Sequence, residues 1–322
     1  MRHVPNLETL PLPGTTALAD DFGASVIEGL SRPQKTLPCR FLYDARGSSL
    51  FEEITELPEY YPTRTEIGIL KQCAAEIVDG ISSGDVLVEF GSGSSLKTEI
   101  LLDHIAGRVT YMPLDVSESA LSEATARLQG RYPALDIRPL VADFSNLPEL
   151  PDEFAGSNKT GFFPGSTIGN LSPNEAVALL RSFRNVLGDR GRLIIGVDLK
   201  KDPRVLVNAY NDSAGVTAEF NLNLLVRINR ELAGTFDLAA FRHKALYNPR
   251  AGRIEMHLVS DRVQDVMAAG SRFHFSQGET IHTENSYKYA VSEFRELASK
   301  AGWKPKRLWT DAGEQFSVHE LI

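Results

Sequence analysis

From residue 86 to residue 198, short apolar runs alternate with stretches of helical periodicity. The predicted strands and helices, in chain order, are Val86–Phe90, Thr98–Ile105, Val109–Asp115, Glu118–Gln129, Ile137–Phe144, Thr160–Phe163, Asn174–Leu187 and Arg192–Asp198. Five strands separated by helices predict a parallel sheet with helices on both faces, which is an α/β fold. Open sheets of this kind bind ligands beyond the carboxyl ends of their strands.

The alternation stops after Asp198 and returns near the end of the chain. The flanking elements that we predict are helices over Thr16–Leu30, Thr65–Asp79, Val205–Tyr210, Ala218–Leu232 and Ala290–Ala301, β-like runs at Arg253–Val259 and Arg272–Phe275, and a hairpin of Pro305–Thr310 and Phe316–Leu321. We expect two domains. Residues 65–200 with 288–322 would form the sheet domain, and residues 10–64 with 201–287 would form a second α+β domain from the N-terminal segment and an insertion.

Composition excludes several classes of protein. The 322 residues carry 34 Lys and Arg against 42 Asp and Glu, so the basic face of a nucleic-acid-binding protein is not expected. No apolar run approaches the ~20 residues of a spanning helix, and the first residues lack the apolar region of a signal peptide. The only cysteines, Cys39 and Cys73, form no CxxC pair, which excludes a disulfide framework and a cysteine zinc site. We expect a cytoplasmic protein with no metal, membrane or nucleic-acid partner.

A glycine loop follows the first predicted strand. The residues Glu89-Phe-Gly-Ser-Gly-Ser-Ser95 end that strand and open the next helix, where small residues and unpaired N–H groups let a ligand approach the backbone. Leu96 stands where a G-x-G-x-x-G motif has its third glycine, and this weakens a dinucleotide site. A plain tight turn is the alternative.

Acidic residues end the next two strands. Asp115 lies 24 residues beyond Gly91, a position suited to accepting hydrogen bonds from ribose hydroxyls. Asp143 can accept from an adenine amino group, and Phe144 can stack on the ring. Each acid alone is compatible with a solvated loop or a helix cap, but their shared edge predicts a nucleoside site. Together with the final hairpin, this pattern resembles the class I S-adenosylmethionine-dependent methyltransferases, which have a Rossmann-like sheet.

Polar groups for a second ligand are scattered along the chain. Asn170 ends Gly165-Ser-Thr-Ile-Gly-Asn170 beyond the fourth strand, and its amide suits an amine or a carboxylate. The alternative is a turn in which Asn170 caps the following helix. Glu284 and Ser286 alternate along one predicted strand and so share a face. Taken singly, these residues and tyrosines such as Tyr43 are compatible with structural roles.

Four longer motifs identify a family. They are Leu42-Tyr-Asp44, Leu57-Pro-Glu-Tyr-Tyr-Pro-Thr-Arg-Thr-Glu66, Gly165-Ser-Thr-Ile-Gly-Asn-Leu171 and Ala209-Tyr-Asn-Asp-Ser-Ala-Gly-Val-Thr-Ala-Glu-Phe-Asn221. In these motifs, and in their order along nearly the whole chain, the sequence resembles the L-histidine Nα-methyltransferases of ergothioneine biosynthesis. The Pro-Glu-Tyr-Tyr-Pro-Thr-Arg and Gly-Ser-Thr-Ile-Gly-Asn motifs are far more specific than a glycine loop.

The resemblance implies a role for particular residues. Its cofactor contacts fall on Gly91, Lys97, Asp115, Asp143 and Phe144. Its histidine-binding positions fall on Tyr60, Asn170, Tyr210, Glu284 and Ser286, with Met256 beside the ring and Tyr43 close to the amine. Tyr43 and Asn170 would be the catalytic residues, Asn170 and Tyr210 would fix the carboxylate and amine, and Glu284 and Ser286 would bind the imidazole.

The implied reaction is trimethylation of the α-amino group of L-histidine with S-adenosyl-L-methionine (SAM), giving hercynine, the first step of ergothioneine biosynthesis. We expect a monomer whose partner is this small molecule. Three alternatives stay open at this point. They are N-methylation of another aromatic amino acid such as tryptophan, a nucleoside-binding module without catalysis, and, more weakly, a dinucleotide oxidoreductase. A buried Glu284 favours histidine over an indole, because an unpaired buried polar group costs about 1–3 kcal/mol.

Overall fold

The structure is a computed structural model, and it describes residues 15–93, 95–116, 118–142, 147 and 149–322. Its helices are α1 Thr15–Leu30, α2 Ala45–Thr55, α3 Tyr61–Val78, α4 Leu96–Leu102, α5 Glu118–Arg131, α6 Pro173–Leu187, α7 Pro203–Ala209, α8 Val216–Glu231 and α9 Val291–Lys300. Its strands are β1 Lys35–Thr36, β2 Val86–Phe90, β3 Thr110–Asp115, β4 Asp136–Ile137, β5 Leu140–Val141, β6 Lys159–Phe163, β7 Arg192–Asp198, β8 Phe241–Asn248, β9 Arg253–Ser260, β10 Gln264–Ala268, β11 Ser271–Phe275, β12 Thr280–Tyr287, β13 Pro305–Thr310 and β14 Phe316–Leu321. Within these ranges, none of the helices is long and apolar enough to cross a membrane.

The chain divides into two compact units. The N-terminal unit consists of Met1–Ile54, Tyr210–Leu246 and Glu255–Glu284, and the sheet unit consists of Thr55–Ala209, Tyr247–Ile254 and Asn285–Ile322. The predicted assignment of residues 65–200 with 288–322 to methyl transfer, and of 10–64 with 201–287 to substrate binding, stays a prediction.

The large sheet has the strand order β13-β14-β7-β6-β2-β3-β4, and β5 also pairs with β3. The strands from β2 to β7 that pair with one another are parallel, whereas β14 is antiparallel to β7 and β13 to β14. This confirms the predicted parallel sheet and its closing hairpin. Alternate residues of β2 belong to two hydrophobic cores on opposite faces of the sheet. Val86 and Val88 pack with residues of α6 and α9 such as Phe183 and Phe294. Leu87 packs with residues of α3 such as Leu70.

Smaller sheets occur elsewhere in the chain. One has the strand order β1-β12-β9-β8, and β10 pairs with β11 in a two-stranded ribbon. In the N-terminal unit, Lys35 of β1 pairs in parallel with Ile281 of β12. The guanidinium of Arg227 on α8 lies 4.6 Å from the Phe22 ring centre and donates a hydrogen bond to the Phe41 carbonyl at 3.0 Å.

Three sequence expectations need correction. The predicted strand Ile137–Phe144 is two short strands, because Pro139 between them has no N–H for the ladder. Helix α3 begins at Tyr61 rather than Thr65, since Pro62 is compatible with the first turn of a helix. Helix α2 and strands β8 and β10 were not predicted.

Candidate functional site

The glycine loop lies where the strand order of the sheet reverses. Strand β2 has β3 on one side and β6 on the other, and ligand crevices of open α/β sheets form at such a point. The Gly91 and Ser92 N–H groups donate to the Leu114 carbonyl at 2.8 and 3.0 Å. Gly91 and Gly93 have φ values of +73° and +47°, which glycine adopts without strain. Among the described residues, no heavy atom other than those of the chain neighbours lies within 4 Å of the point where a Cβ on Gly93 would stand, so this side of the loop leaves room for a ligand.

Asp115, a predicted cofactor residue, is held against this loop. The Gly93 N–H donates to Asp115 Oδ2 at 2.9 Å, and Asp115 is half-buried. The hydroxyl of Ser92 is buried and has no hydrogen-bond partner among the described residues. A carboxylate, a spare hydroxyl and an open glycine fit a polar ligand such as a nucleoside. Asp143 and Phe144 lie outside the described residues, and their cofactor roles stay predictions.

Glu89, the last acid of β2, is buried below the loop. Burial raises the pKa of Glu89 to about 7, even though hydrogen bonds from Thr98 and Tyr111 and the Lys97 charge act to lower it. The Tyr111 hydroxyl donates to Glu89 and lies 2.9 Å from Ser95 Oγ. Burial raises the pKa of Tyr111 well above its ordinary value as well. This pair ties the start of the loop to strand β3.

Lys97 is paired with a carboxylate that the sequence analysis did not assign. Lys97 Nζ lies 2.5 Å from Glu66 Oε2, and the Gly165 N–H donates to both Glu66 oxygens at 2.9 and 3.0 Å. Glu66 is fully buried, and a Cβ on Gly196 would lie only 1.9 Å from Glu66 Oε1. The absence of a side chain at Gly196 therefore makes space for this carboxylate between α3 and the strand ends.

Asn170 closes a short 3-10 turn, Thr167–Asn170, beyond strand β6. The cap of α6 is Ser172, whose side chain accepts from the Glu175 N–H, so Asn170 is not the cap. A Cβ on Gly169 would lie 2.8 Å from the Tyr287 carbonyl oxygen. The turn thus packs directly against the end of β12, where Ser286 lies.

A buried ionic network surrounds Ser286. Lys288 Nζ donates to Ser286 Oγ at 2.7 Å and lies 2.7 Å from Asp198 Oδ2. The Tyr61 hydroxyl donates to Asp198 at 2.7 and 2.8 Å, and Lys201 Nζ lies 2.6 Å from Asp198 Oδ1. Burial alone would raise the pKa of Asp198, but the charges of Lys288 and Lys201 outweigh burial and lower it.

The N-terminal unit holds four of the predicted residues. Tyr43 is 38% exposed, and its ring lies 5.5 Å from both Phe51 and Phe220 in edge-to-face contacts. Met256 and Glu284 are buried on neighbouring strands, with the Thr283 hydroxyl donating to the Met256 carbonyl at 3.1 Å. The burial pattern of β12 departs from alternation at Thr283 and Glu284, which are both buried.

Tyr210, the fourth of these residues, follows α7 and is anchored through its backbone. Its carbonyl accepts from His243 Nε2 at 2.8 Å, while Asn221 Nδ2 donates to His243 Nδ1 at 3.0 Å. The Tyr210 carbonyl can only accept, so His243 carries a proton on Nε2. Because Asn221 donates to Nδ1, that nitrogen has no proton and the ring is neutral. Burial lowers the pKa of His243, in agreement with this tautomer.

The remaining predicted residues lie in the sheet unit. Tyr60 is buried directly before α3, and its N–H donates to the Leu57 carbonyl at 3.1 Å. Within this unit the structure brings Gly91, Asp115, Lys97, Asn170 and Ser286 to the carboxyl ends of the strands or to segments that pack there.

Sequence reasoning missed Glu66, Asp198 and Lys288. The sequence held a pattern that could have identified Asp198 and Lys288. Asp198 ends β7 as Asp115 ends β3, and Lys288 continues the two-residue spacing of Glu284 and Ser286. Glu66 lies 99 residues before its partner Gly165, so no local pattern connects them.

Comparison with known proteins gives a consistent result. A family model described as histidine-specific methyltransferase, SAM-dependent, matches residues 22–322. The histidine N-alpha-methyltransferase of Mycobacterium tuberculosis (strain CDC 1551 / Oshkosh) is 40% identical over 299 residues, which cover 91% of this chain and 92% of that protein. The protein of the same name from Mycolicibacterium smegmatis is 40% identical over 306 residues, covering 93% and 94%. Ergothioneine biosynthesis protein 1 of Neurospora crassa is 33% identical over 306 residues, which cover 92% of this chain and 34% of that longer protein.

These matches confirm the resemblance found in the sequence, the assignment as an enzyme with a small-molecule substrate, and SAM as the cofactor. With the observed parallel sheet and its closing antiparallel hairpin, they also agree with the predicted class I fold. They do not favour the tryptophan or nucleoside-module alternatives. The chain belongs to the family of SAM-dependent, histidine-specific methyltransferases.

Proposed function

We propose that the protein transfers three methyl groups in succession from SAM to the α-amino nitrogen of L-histidine, giving hercynine in the first step of ergothioneine biosynthesis. The observation that carries the proposal is 40% identity over about nine tenths of both chains to proteins named histidine N-alpha-methyltransferase. The geometry of the strand ends supports it, because they combine a nucleoside-type loop with a separate set of buried polar groups.

SAM fits the residues at the glycine loop. Asp115 would accept hydrogen bonds from the ribose hydroxyls, the open Gly93 would admit the ligand, and Lys97 supplies a cation for an anionic part of it. Asp143 and Phe144 complete the proposed cofactor contacts. When bound, SAM supplies a methyl group on a sulfonium, which is already a strong electrophile.

The protein then contributes mainly alignment and exclusion of water. Asn170, Tyr60 and Tyr210 would hold the amine and carboxylate of histidine. In each transfer a new N–C bond forms as the S–CH₃ bond breaks, and S-adenosylhomocysteine leaves. The attacking amine must be neutral, so it loses one proton before each of the three transfers, through Tyr43, Asn170 or a water.

Recognition of the ring would rest on Glu284 and Ser286, with Met256 beside the ring. Glu284 and Ser286 are buried on one strand. Imidazole has two ring nitrogens and indole has one, so only imidazole can satisfy both residues. A lost hydrogen bond to a buried polar group costs about 1–3 kcal/mol, or roughly ten- to hundredfold in selectivity.

The test is a mass-spectrometric assay of the purified protein with SAM and free histidine, its mono- and dimethyl forms, tryptophan, tyrosine and phenylalanine. We expect only histidine and its methylated forms to be converted, ending at three added methyl groups. Preferred methylation of tryptophan would contradict the assignment of the ring contacts, and SAM binding without any methylation would favour a binding module.

A second arm of this assay uses Glu284→Ala. We expect the KM for histidine to rise by about tenfold or more while the Kd for SAM stays within about twofold. Glu279→Ala is the matched control, since Glu279 precedes β12 and pairs with Lys35 instead. An unchanged histidine KM in Glu284→Ala would remove this residue from the imidazole contact.

We further propose that the enzyme acts as a monomer in the cytoplasm, in line with its sparse cysteines and mixed surface charge. Sedimentation of the purified protein tests the oligomeric state.

A further inference from the structure

Lys288 is a fully buried lysine with two partners in the sheet unit. Its ammonium group lies 2.7 Å from Asp198 Oδ2 and 2.7 Å from Ser286 Oγ, and its side chain has no exposed area. A buried ammonium group is costly unless it is paired and hydrogen-bonded, and Asp198 supplies the opposite charge. The lysine is therefore fixed in place at the hydroxyl that the proposed function assigns to the substrate ring.

The chemistry of this contact sets the direction of the Ser286 hydroxyl. An ammonium group has three donors and no acceptor, so in this pair Ser286 Oγ must accept. The one proton of the hydroxyl is then directed away from Lys288, whatever else the side chain contacts. A ligand atom that meets this proton has to be an acceptor.

We propose that Lys288 is a positioning residue that holds the Ser286 hydroxyl as a donor, so that the enzyme binds histidine with a neutral imidazole ring. This rests on the proposed function. The ring nitrogen without a proton would accept from Ser286, while the ring N–H would donate to Glu284. An imidazolium ring has N–H groups on both nitrogens, and one of them would face the Ser286 proton.

Other charged groups lie around this contact. From neighbouring elements these are Asp198 at the end of β7, Lys201 after it and Tyr61 on α3. Along β12, the nearest ionisable residue in sequence is Glu284, two residues before Ser286. Burial lowers the pKa of Lys201 to about 8, against the charge of Asp198. Because these groups also contribute to pH dependence, the test needs a ligand whose ring does not titrate.

The experiment measures the Kd for L-histidine by calorimetry on enzyme saturated with S-adenosylhomocysteine. Free histidine has a ring pKa of about 6.5, so we expect binding to wild type about tenfold weaker at about pH 5.5 than at about pH 7.5. In Lys288→Met the hydroxyl can turn and accept from an imidazolium, so the ratio of the two Kd values should fall toward one. A merely structural role of Lys288 would weaken binding equally at both pH values.

Controls separate the ring from the protein. 1,2,4-Triazolyl-3-alanine, whose ring stays neutral across this range, should show the same small pH effect with wild type and Lys288→Met. Lys300→Met, which removes an exposed lysine paired with Glu296, should keep the wild-type ratio for histidine. Ser286→Ala removes the hydroxyl and should also bring the ratio toward one, which keeps the test decisive if Lys288→Met does not fold.

The outcomes distinguish this inference from the proposed function. A wild-type Kd for histidine that does not change with pH, or equal ratios in wild type, Lys288→Met and Ser286→Ala, would overturn the role of Lys288 while leaving histidine methylation intact. Failure of wild type to methylate histidine would overturn the proposed function itself.

Discussion

Glu66 shows how one carboxylate can organise two parts of the proposed cofactor site. Both of its oxygens accept, one from Lys97 and both from the Gly165 N–H. In Glu66→Gln, one of these donors would face an amide NH₂, and Lys97 would lose its counter-charge. We expect the Kd for SAM to rise by about tenfold, equivalent to about 1.4 kcal/mol, as measured by calorimetry.

The control for this change is Glu296→Gln, because Glu296 forms an exposed pair with Lys300 where charge contributes little. The control should bind SAM as wild type does. If Glu66→Gln also retained the wild-type Kd for SAM, Lys97 would not depend on Glu66 for its position.

At the residue scale, sequence reasoning found groups that lie at strand ends and missed groups defined by distant partners. Asp115 was predictable because it ends an apolar run beside a glycine loop. Glu66 was not, because its partners Lys97 and Gly165 are 31 and 99 residues away along the chain. A helical pattern around Glu66 shows only that it is a helix residue, and burial of a charge depends on tertiary packing.

At the scale of elements, strand β14 carries a buried histidine that makes stability depend on pH. His319 has no exposed area, lies 3.0 Å from Ser317 Oγ through Nε2, and packs 4.6 Å from the Phe294 ring centre. Burial lowers the pKa of His319 to about 3, and the Arg295 charge acts in the same direction. The folded protein therefore keeps this ring neutral where the unfolded chain would protonate it.

The direction of this pH dependence follows from which state of the protein binds the proton. Between about pH 6.5 and the folded-state pKa, the unfolded state binds the proton and the native state does not, so stability falls as pH falls. From about pH 7.5 to about pH 5, we expect His319 to account for a loss of about 2 kcal/mol in the free energy of unfolding. Denaturant titrations at several pH values give the free energy of unfolding as a function of pH, and the effect is the difference between the slopes of this function for wild type and His319→Gln. His274→Gln, at an exposed histidine, is the control. Equal slopes in wild type and His319→Gln would contradict the effect.

Elements that begin and end at turn-forming residues were predicted at their observed limits. Strands β2 and β7 are mainly apolar runs, the final hairpin has two mixed strands around the turn Asp311-Ala-Gly-Glu314, and the predicted bounds of all four strands agree with the structure. Helix α2 was missed because Gly47, Ser48 and Ser49 have low helix propensity. A Cβ on Gly47 would lie 1.7 Å from the carbonyl oxygen of Leu42, so close packing of α2 on the turn before it requires glycine where helix propensity disfavours it.

At the scale of the whole molecule, the order of strands and helices was enough to predict the α/β class, and the longer motifs were enough to predict the family. The division into units was harder, since the N-terminal unit is assembled from three separate stretches of chain. Three of its five boundaries fall within β8, β9 and β12, where no proline or glycine marks a change of unit along the strand, and the other two fall at the ends of α2 and α7. Local sequence patterns show where a helix or strand ends, but they do not show which distant elements pack together.

Binding of SAM to the folded chain links the cofactor site to global unfolding. A ligand that binds only the native state at about 100 times its Kd raises the free energy of unfolding by about 2.7 kcal/mol. Asp115→Asn replaces the charged acceptor of the Gly93 N–H and, in the proposed function, of the ribose hydroxyls. A tenfold loss in affinity would reduce the stabilisation at the same SAM concentration to about 1.4 kcal/mol, and a hundredfold loss would reduce it to about 0.4 kcal/mol. Denaturant titrations with and without SAM measure this difference, and Asp189→Asn, at an exposed turn position, should retain the full effect. Full stabilisation of Asp115→Asn by SAM would show that the carboxylate at the end of β3 does not bind the cofactor.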